Sequence, residues 1–124
     1  MLTLWNSKKP ASLIELEEIL DESKDKLVVI DFFSTDCAPC EKVAPLYEEL
    51  SQSEEFSEKV IFLKVNVDNH PFITAKYSVT GWPTFLFIKN GEVQTEIVGG
   101  KLAEATLYDW VRLLMPKDKQ EDDE

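Results

Sequence analysis

The 124-residue sequence predicts an α/β protein, with three α/β/α layers built around one mixed central sheet. Two nearly continuous apolar runs, residues 27–33 and 60–67, have the pattern of strands that are covered on both faces. Segments with a helical apolar period separate the strands. An Asn-Gly pair near the end of the chain indicates an antiparallel hairpin. The predicted order of elements is therefore β-α-β-α-β-α-β-β-α.

Composition limits the class of protein and its partners. Residues 1–116 are expected to form one domain, and residues 117–124 an acidic, disordered tail. A net charge of −11 would be repelled by nucleic acid and by anionic membrane surfaces, so neither is expected as a partner. No apolar run approaches the roughly 18 residues of a membrane span, and the first residues lack a secretory signal pattern. A cytoplasmic location is therefore expected. The acidic clusters at residues 15–22 and 48–58 are interpreted as solvated helix faces.

The first third of the chain predicts a strand, a helix and a second strand. Residues 2–5 are expected to form a short strand. Ser12 and Glu15 have the spacing of a capping box, which satisfies free N–H groups at a helix start. The apolar face of that helix consists of Leu13, Leu16 and Leu20. The next strand, residues 27–33, contains Asp31, although carboxylates are rarely buried without a partner or a task.

A second helix is predicted over residues 41–50. Its apolar stripe consists of Val43, Leu46, Tyr47 and Leu50. Pro39 suits the first helical position, because its missing N–H would be unpaired there. Pro45 lies in the helix interior and is expected to kink it.

A short third helix is predicted after the strand at residues 60–67. Asp68 or Asn69 is expected to cap this helix, with Pro71 in its first turn and its end near residues 77–78. His70 is expected to be a surface residue at the helix start.

A hairpin and a final helix complete the predicted fold. Residues 85–88 form a strand, and the Asn90-Gly91 turn joins it to a strand over residues 93–98. Side chains expected to alternate outward and inward in the second strand are Val93, Thr95 and Ile97. Gly99 and Gly100 end this strand. The apolar side of the last helix consists of Leu107, Val111 and Leu114, flanked by Ala103 and Trp110, and Pro116 stops it.

Cys37 and Cys40 are the only cysteines, and they form a C-x-x-C motif between a buried strand and a helix. This arrangement predicts a thiol–disulfide redox site. One alternative is a structural disulfide, but a bridge across so short a loop removes little chain entropy. The other is half of a zinc site, for which His70 is the only further soft ligand. No metal is expected.

Together, the motifs between residues 26 and 114 resemble those of the thioredoxin family. The matching features are Asp31, the C-x-P-C motif at residues 37–40, Pro45, Lys64, Asp68, Gly81-x-Pro83-Thr84, the Lys89-Asn90-Gly91-Glu92 turn and Val98-Gly99-Gly100. The resemblance implies the thioredoxin fold and a protein-disulfide reductase that acts as an electron carrier in cell redox homeostasis. It implies no prosthetic cofactor: the redox-active group is a Cys37–Cys40 disulfide, which receives electrons from NADPH through a thioredoxin reductase. The implied partners are that reductase and disulfide-containing client proteins, and the chain is expected to be a monomer.

The resemblance also assigns chemical roles. Cys37, at the positive end of the helix dipole, is expected to be the attacking thiolate, and Cys40 the resolving thiol. Asp31 is expected to accept the Cys40 proton, because burial raises the pKa of a carboxyl group. Lys64 is expected to lie near Asp31 and to moderate that increase. Each residue also has an alternative interpretation. Asp31 could belong to a buried ion pair without a catalytic role, and Lys64 could be an ordinary strand residue whose ammonium reaches solvent.

A surface around the cysteines is expected to bind substrate. Pro83 matches the cis-proline of the family, whose bond presents the preceding backbone to an extended substrate segment. Trp82 is expected to be exposed next to it, although a place in the core is the alternative. The full predicted surface consists of Asp36, Ala38, Pro39, Trp82, Pro83, Val98 and Gly99.

Two residues depart from the Trp-Cys-Gly-Pro-Cys pattern of the family, with Asp36 in place of tryptophan and Ala38 in place of glycine. A carboxylate about 6 Å from the Cys37 sulfur is expected to raise the thiol pKa by roughly 0.5–1 pH unit. Thioredoxins are a standard example of such thiols, with a pKa near ~7, so the thiolate fraction at pH 7 would fall from about half to roughly 10–25%. The reduction potential would change by less than about 10 mV. We expect Trp82 to supply part of the apolar contact of the missing tryptophan.

Two further functions are compatible with these residues. A specialised electron donor would serve one partner enzyme, with Asp36 excluding general partners. A redox-gated binding module would use the cysteines as a switch for association instead of for catalysis.

Overall fold

Five strands and four helices alternate along residues 7–117, the part of the chain that the computed structural model describes. They are β1 (Ser7–Lys8), α1 (Leu13–Glu22), β2 (Leu27–Phe33), α2 (Ala38–Ser51), β3 (Val60–Asn66), α3 (Pro71–Lys76), β4 (Thr84–Lys89), β5 (Glu92–Val98) and α4 (Gly100–Leu114). The predicted order of elements is confirmed. The strand predicted at residues 2–5 and the tail beyond residue 117 lie outside the described residues, and the first described strand is β1.

β2 lies at the centre of the mixed sheet, whose strand order is β1-β3-β2-β4-β5. It pairs in parallel with β3 and antiparallel with β4, and β5 continues the sheet antiparallel to β4. Successive β2 side chains enter two different cores. Leu27 and Val29 pack with α2 and α4, whereas Val28 and Ile30 pack with α1 and α3. The predicted three layers are confirmed, and the continuous apolar run follows from burial on both faces.

Alternation along β2 places Asp31 on the face that α2 covers, because it shares that face with Leu27 and Val29. Lys64 lies on the same face of β3, where it is the registered neighbour of Asp31. The sheet therefore brings a carboxylate and an ammonium together under α2.

Capping interactions define the start of α1. The Ser12 Oγ accepts a hydrogen bond from the Glu15 N–H at 3.1 Å. The Glu15 carboxylate accepts one from the N–H of Ala11, one residue before the capping residue. The predicted capping pair is therefore confirmed, although its second bond reaches one residue further than in the standard capping box.

The predicted start of α2 was wrong by three residues, and the predicted cap of α3 by one or two, although Pro71 lies in the first turn of α3 as predicted. α2 begins at Ala38, so Pro39 takes its second position, and Pro45 lies inside the helix as predicted. α3 follows His70, which is half-buried and gives no side-chain cap. Asp68 is not the cap of α3, because its carboxylate accepts hydrogen bonds from the loop after β2 instead.

The predicted hairpin is confirmed, with one difference inside β5. Asn90 and Gly91 form its two-residue turn with φ of 52° and 80°, values that favour Asn and Gly. The expected alternation of Val93, Thr95 and Ile97 was wrong. Thr95 and Ile97 pair with Phe87 and Phe85 and lie together on the face that α4 covers, because residues two apart in a strand share a face. A register shift between Phe87 and Ile88 moves Val93 to the opposite face.

α4 packs on the same face of the sheet as α2 through Ala103, Leu107 and Val111, and Leu114 is half-buried. The helix ends at Leu114, two residues before Pro116, as predicted. None of the described helices has the length and apolar content to cross a membrane.

Tyr47 ties α2 to the sheet, because its buried hydroxyl donates to the carbonyls of Leu63 at 2.7 Å and Val29 at 3.1 Å. We predict that Tyr47→Phe lowers the free energy of unfolding by about 1–2 kcal/mol, since the hydrogen bond is lost in a buried position. Urea denaturation would measure the change. Tyr108→Phe is the matched control: its hydroxyl binds Glu55 at the surface, and we expect a loss below about 0.5 kcal/mol. Equal losses in the two variants would contradict the prediction.

Candidate active site

The two cysteines lie where the loop after β2 enters α2. Cys37 caps the helix with extended backbone, and its Sγ accepts a hydrogen bond from the N–H of Cys40 at 3.2 Å. The two sulfurs are joined in a disulfide. Cys37 is 8% exposed and Cys40 is 6% exposed. The Cys37 sulfur therefore lies at the positive end of the helix dipole, where negative charge is stabilised.

An exposed surface surrounds Cys37. Ala38 and Pro39 are exposed in the first turn of α2, and Asp36 is exposed just before the motif. The Trp82–Pro83 peptide bond is cis, as the resemblance implies. The Trp82 carbonyl oxygen lies 3.9 Å from the Cys37 Sγ. Trp82 is 42% exposed, so the prediction that it is exposed is confirmed.

The end of β5 completes this surface. Val98 is 53% exposed, and the Gly99 N–H donates to the carbonyl of the buried Pro83 at 2.9 Å. Gly99 has a φ of 104°, which favours glycine. The structure thus brings together all seven residues that the sequence placed in the substrate surface.

Gly100, which the sequence marked as the end of a strand and as part of a family motif, also positions two helices. A Cβ at this position would lie 3.0 Å from the Pro39 carbonyl oxygen and 3.2 Å from the Pro39 Cβ. The first turn of α4 therefore packs directly on the first turn of α2, and a side chain at this position would require Pro39 to shift by a few tenths of an ångström.

Behind the cysteines, a cavity of about 380 Å³ reaches the centre of the sheet. Its lining side chains include Asp31, Cys40, Ala44, Lys64 and Asn66. Asp31 is buried, and no described residue donates a hydrogen bond to its Oδ1. Burial raises the pKa of Asp31 to about 7, against the opposing effect of the Lys64 ammonium. The structure therefore joins Asp31 and Cys40 through one cavity, as the predicted proton transfer requires.

Lys64 lies beside Asp31 as predicted, but its ion pair is with a different carboxylate. Its Nζ is 3.5 Å from Glu48 Oε2 and 5.0 Å from the centroid of the Phe33 ring. No ion pair between Lys64 and Asp31 occurs within residues 7–117. The alternative that Asp31 belongs to a buried ion pair is therefore wrong for the described residues.

Glu48 is the main residue that sequence reasoning missed. Its side chain is 25% exposed, and its Oε1 is buried without a described donor, so the interpretation of this carboxylate as solvated was wrong. The spacing of residues in α2 could have identified Glu48. Cys40, Ala44 and Glu48 follow one another at intervals of four residues, which places them on one face of the helix.

Asp68 holds the loop that leads to the cysteines. Its Oδ2 accepts hydrogen bonds from the Ser34 hydroxyl and the Thr35 N–H, both at 2.9 Å, and these donors lower the pKa of Asp68. The Asn66 amide donates to the Thr35 hydroxyl at 3.2 Å. The end of β3 thus fixes the path of the chain into Cys37.

No group of three or more His, Cys, Asp or Glu side chains in residues 7–117 is arranged to hold a metal ion. The two sulfurs, which a zinc site would need as ligands, are bonded to each other in this structure.

Comparisons with known proteins identify the family. The thioredoxin family model matches residues 11–112. The chain is 47% identical over 85 residues to Thioredoxin-T of Drosophila melanogaster, a match that covers 68% of this chain and 53% of that protein. It is 44% identical over 80 residues to a thioredoxin of Ictalurus punctatus, covering 64% of this chain and 74% of that protein. The chain thus spans about half the length of the first relative and three quarters of the second.

Solved structures agree with the sequence comparison. Fasciola hepatica thioredoxin superimposes with a TM-score of 0.78 at 38% identity, covering 86% of this chain and 97% of that one. The thioredoxin of Malassezia sympodialis gives a TM-score of 0.79 at 29% identity, covering 91% of this chain and 94% of that one. With its redox motif, its fold and a family match over most of its length, this chain belongs to the thioredoxin family.

Proposed function

We propose that this protein reduces protein disulfides by dithiol–disulfide exchange and is re-reduced by a thioredoxin reductase that takes electrons from NADPH. Family membership and the Cys37–Cys40 pair support the broader class, a thiol–disulfide oxidoreductase. The observation that carries the narrower proposal is the cavity that joins the resolving sulfur, Cys40, to the buried carboxyl of Asp31. A proton acceptor behind the second sulfur is what a reductase needs to release its client.

The reaction has two exchange steps. The Cys37 thiolate attacks a client disulfide, forms a bond to one client sulfur and expels the other, which takes a proton from solvent. Cys40 then transfers its proton to Asp31 and attacks the Cys37 sulfur. The Cys37–Cys40 disulfide forms, and the second client sulfur leaves as a thiolate, which takes a proton from solvent as Asp31 returns one to it. The client has gained two electrons and two protons, and the protein dithiol has lost them.

The start of α2 favours the first step. Cys37 occupies the capping position, and the N–H of Cys40 points at its sulfur from 3.2 Å. Both the N–H group and the helix dipole stabilise a thiolate at this place.

The exposed surface favours an extended client segment. Trp82 and Val98 are large apolar side chains that are 42% and 53% exposed, and the Trp82 carbonyl oxygen lies 3.9 Å from the Cys37 sulfur. A client that lies along both side chains would gain apolar contact next to the reacting disulfide.

We predict that Cys37→Ser abolishes reduction of insulin disulfides by dithiothreitol, because no thiolate remains to attack. Cys40→Ser is the matched variant, and we expect it to attack insulin but to stop as a mixed disulfide, since no thiol remains to release the client. Insulin turbidity would measure the first effect and mass spectrometry the second. Full activity of Cys37→Ser would contradict the mechanism. Lack of turnover by the wild-type protein would favour the redox-gated binding module.

Asp31 makes stability dependent on pH. Between pH ~4 and ~7 the native state holds a proton on Asp31 that the unfolded state has lost, so stability falls as pH rises through this range. We predict that Asp31→Asn, which carries no charge, becomes more stable than wild type by about 4 kcal/mol above pH 7 and by much less at pH 4. Urea denaturation of the oxidised proteins at both pH values would measure this. A difference that does not change with pH would be evidence against a raised pKa.

The same variant, Asp31→Asn, should resolve mixed disulfides roughly tenfold or more slowly at pH 7.

Asp36 is expected to lower the fraction of Cys37 that is ionised to the thiolate at neutral pH. We predict that Asp36→Asn increases alkylation of reduced Cys37 at pH 7 by roughly two- to fivefold, because a nearby negative charge is removed. The increase should disappear above pH 9, where the thiol is ionised in both proteins. Asp109→Asn, an equal change at an exposed position of α4, is the control. Identical rates for the wild type and Asp36→Asn would rule out this electrostatic effect.

A further inference from the structure

Glu48 links α2 to the charged groups in the sheet. One of its carboxylate oxygens, Oε2, lies 3.5 Å from the Lys64 Nζ, and the other is buried without a described donor. The side chains of Glu48 and Lys64 are 25% and 17% exposed, so solvent screens their interaction only in part. An ion pair in such a place has stronger electrostatic effects than one at the surface.

Within residues 7–117, Asp31 forms no ion pair, whereas Lys64 pairs with Glu48. Asp31 and Lys64 are registered neighbours on adjacent parallel strands, and this position would suit a direct salt bridge. Instead, the Lys64 ammonium is bound to Glu48 and lies near the Phe33 ring, and Asp31 Oδ1 has no described donor. The Lys64 ammonium therefore has two carboxylates as neighbours, Asp31 and Glu48, and it pairs with Glu48, the more exposed of the two.

We propose that Glu48 is a positioning residue for the reaction: by pairing with Lys64 it keeps the ammonium from binding Asp31, so that Asp31 stays able to accept a proton at neutral pH. Glu48 acts through Lys64 and need not contact the sulfur atoms. The role of Glu48 in the reaction rests on the proposed function. Its effect on the protonation of Asp31 does not.

Charges around Asp31 support this direction. The titratable groups near it are Lys64 of β3 and Cys40, Glu41, Tyr47 and Glu48 of α2. On the other side, β4 places the apolar Phe85 opposite Asp31. Burial contributes most to the raised pKa of Asp31, Lys64 lowers it, and Glu48 raises it. Removing the charge of Glu48 should lower this pKa, both directly and by releasing the ammonium toward Asp31.

The test is a titration of Asp31 followed by NMR of its side-chain carboxyl carbon in the oxidised full-length protein, in which no thiol titrates. We expect Glu48→Gln to move the midpoint of Asp31 to lower pH by roughly 0.5–1.5 pH units. Glu49→Gln, the adjacent exposed residue of the same helix, is the control and should leave the midpoint unchanged. An unchanged or higher midpoint in Glu48→Gln would overturn the inference, as would an equal shift in Glu49→Gln.

A double-mutant cycle tests whether Glu48 acts through Lys64. Lys64→Met alone should raise the Asp31 midpoint, because a nearby positive charge is removed. If Glu48 acts through Lys64, adding Glu48→Gln to Lys64→Met should shift the midpoint less than it does in the wild type. A shift of the same size in both backgrounds would overturn that route.

The catalytic effect has a separate readout. In Glu48→Gln, the acidic limb of the pH profile for resolving a mixed disulfide should move to lower pH by the same amount as the Asp31 midpoint. Because the Asp31 titration involves neither client nor reductase, it can succeed even if the insulin assay shows no turnover. Failure of this inference and failure of the proposed function are therefore distinguishable. A midpoint shift without any movement of the pH profile would overturn the role of Glu48 in the reaction.

Discussion

Burial of one carboxylate in the middle of the sheet is the constraint on which the site depends. Asp31 occupies the central strand, and it faces α2 because it shares the alternation of Leu27 and Val29. Burying a charge is costly, so the group keeps its proton to a pH far above that of an ordinary carboxyl. The same strand leads directly into the cysteine loop. The fold therefore delivers a buried carboxyl group and a pair of sulfurs to the same side of the sheet.

Contacts from several loops hold the sulfurs at this place. Asp68 at the end of β3 holds the loop before Cys37, and the first turn of α4 packs on Pro39 through the small Gly100. Pro83 binds the backbone of Gly99, which fixes the end of β5 against the loop before β4. Each of these contacts joins segments that are distant in sequence. The geometry around Cys37 is thus a product of the tertiary fold, since the four-residue motif alone contains none of them.

Local pattern was enough to predict most of the fold. Apolar runs, capping residues and the Asn-Gly turn depend on neighbouring residues only, and they gave the correct order of elements. The side-chain directions in β5 were wrong for two reasons: residues two apart share a face of a strand, and the register shift that turns Val93 to the opposite face leaves no mark in the apolar pattern. Asp68 was misassigned because a carboxylate before a proline suits a helix cap, whereas its partners come from a loop more than thirty residues away.

The site was predictable where a motif defined it and unpredictable where packing did. Cys37, Cys40 and Pro83 came from motifs, and Asp31 from its unusual place in a strand. Glu48 came from neither, because its importance arises only when α2 lies across β3 and brings it to Lys64. Ion pairs between distant elements cannot be read from the charge pattern of one helix.

The alternation of β2 between two cores also bears on how the chain avoids misalignment. Sliding β2 by one residue would exchange the faces of its side chains and carry Asp31 into the cluster under α1 and α3. The buried members of that cluster are all leucine, isoleucine, valine or phenylalanine. A carboxyl there would lose both its access to the cavity and the nearby ammonium, at a cost of several kcal/mol. An uninterrupted run of aliphatic residues could slide with little penalty, whereas this single acidic side chain makes the slipped pairing unfavourable.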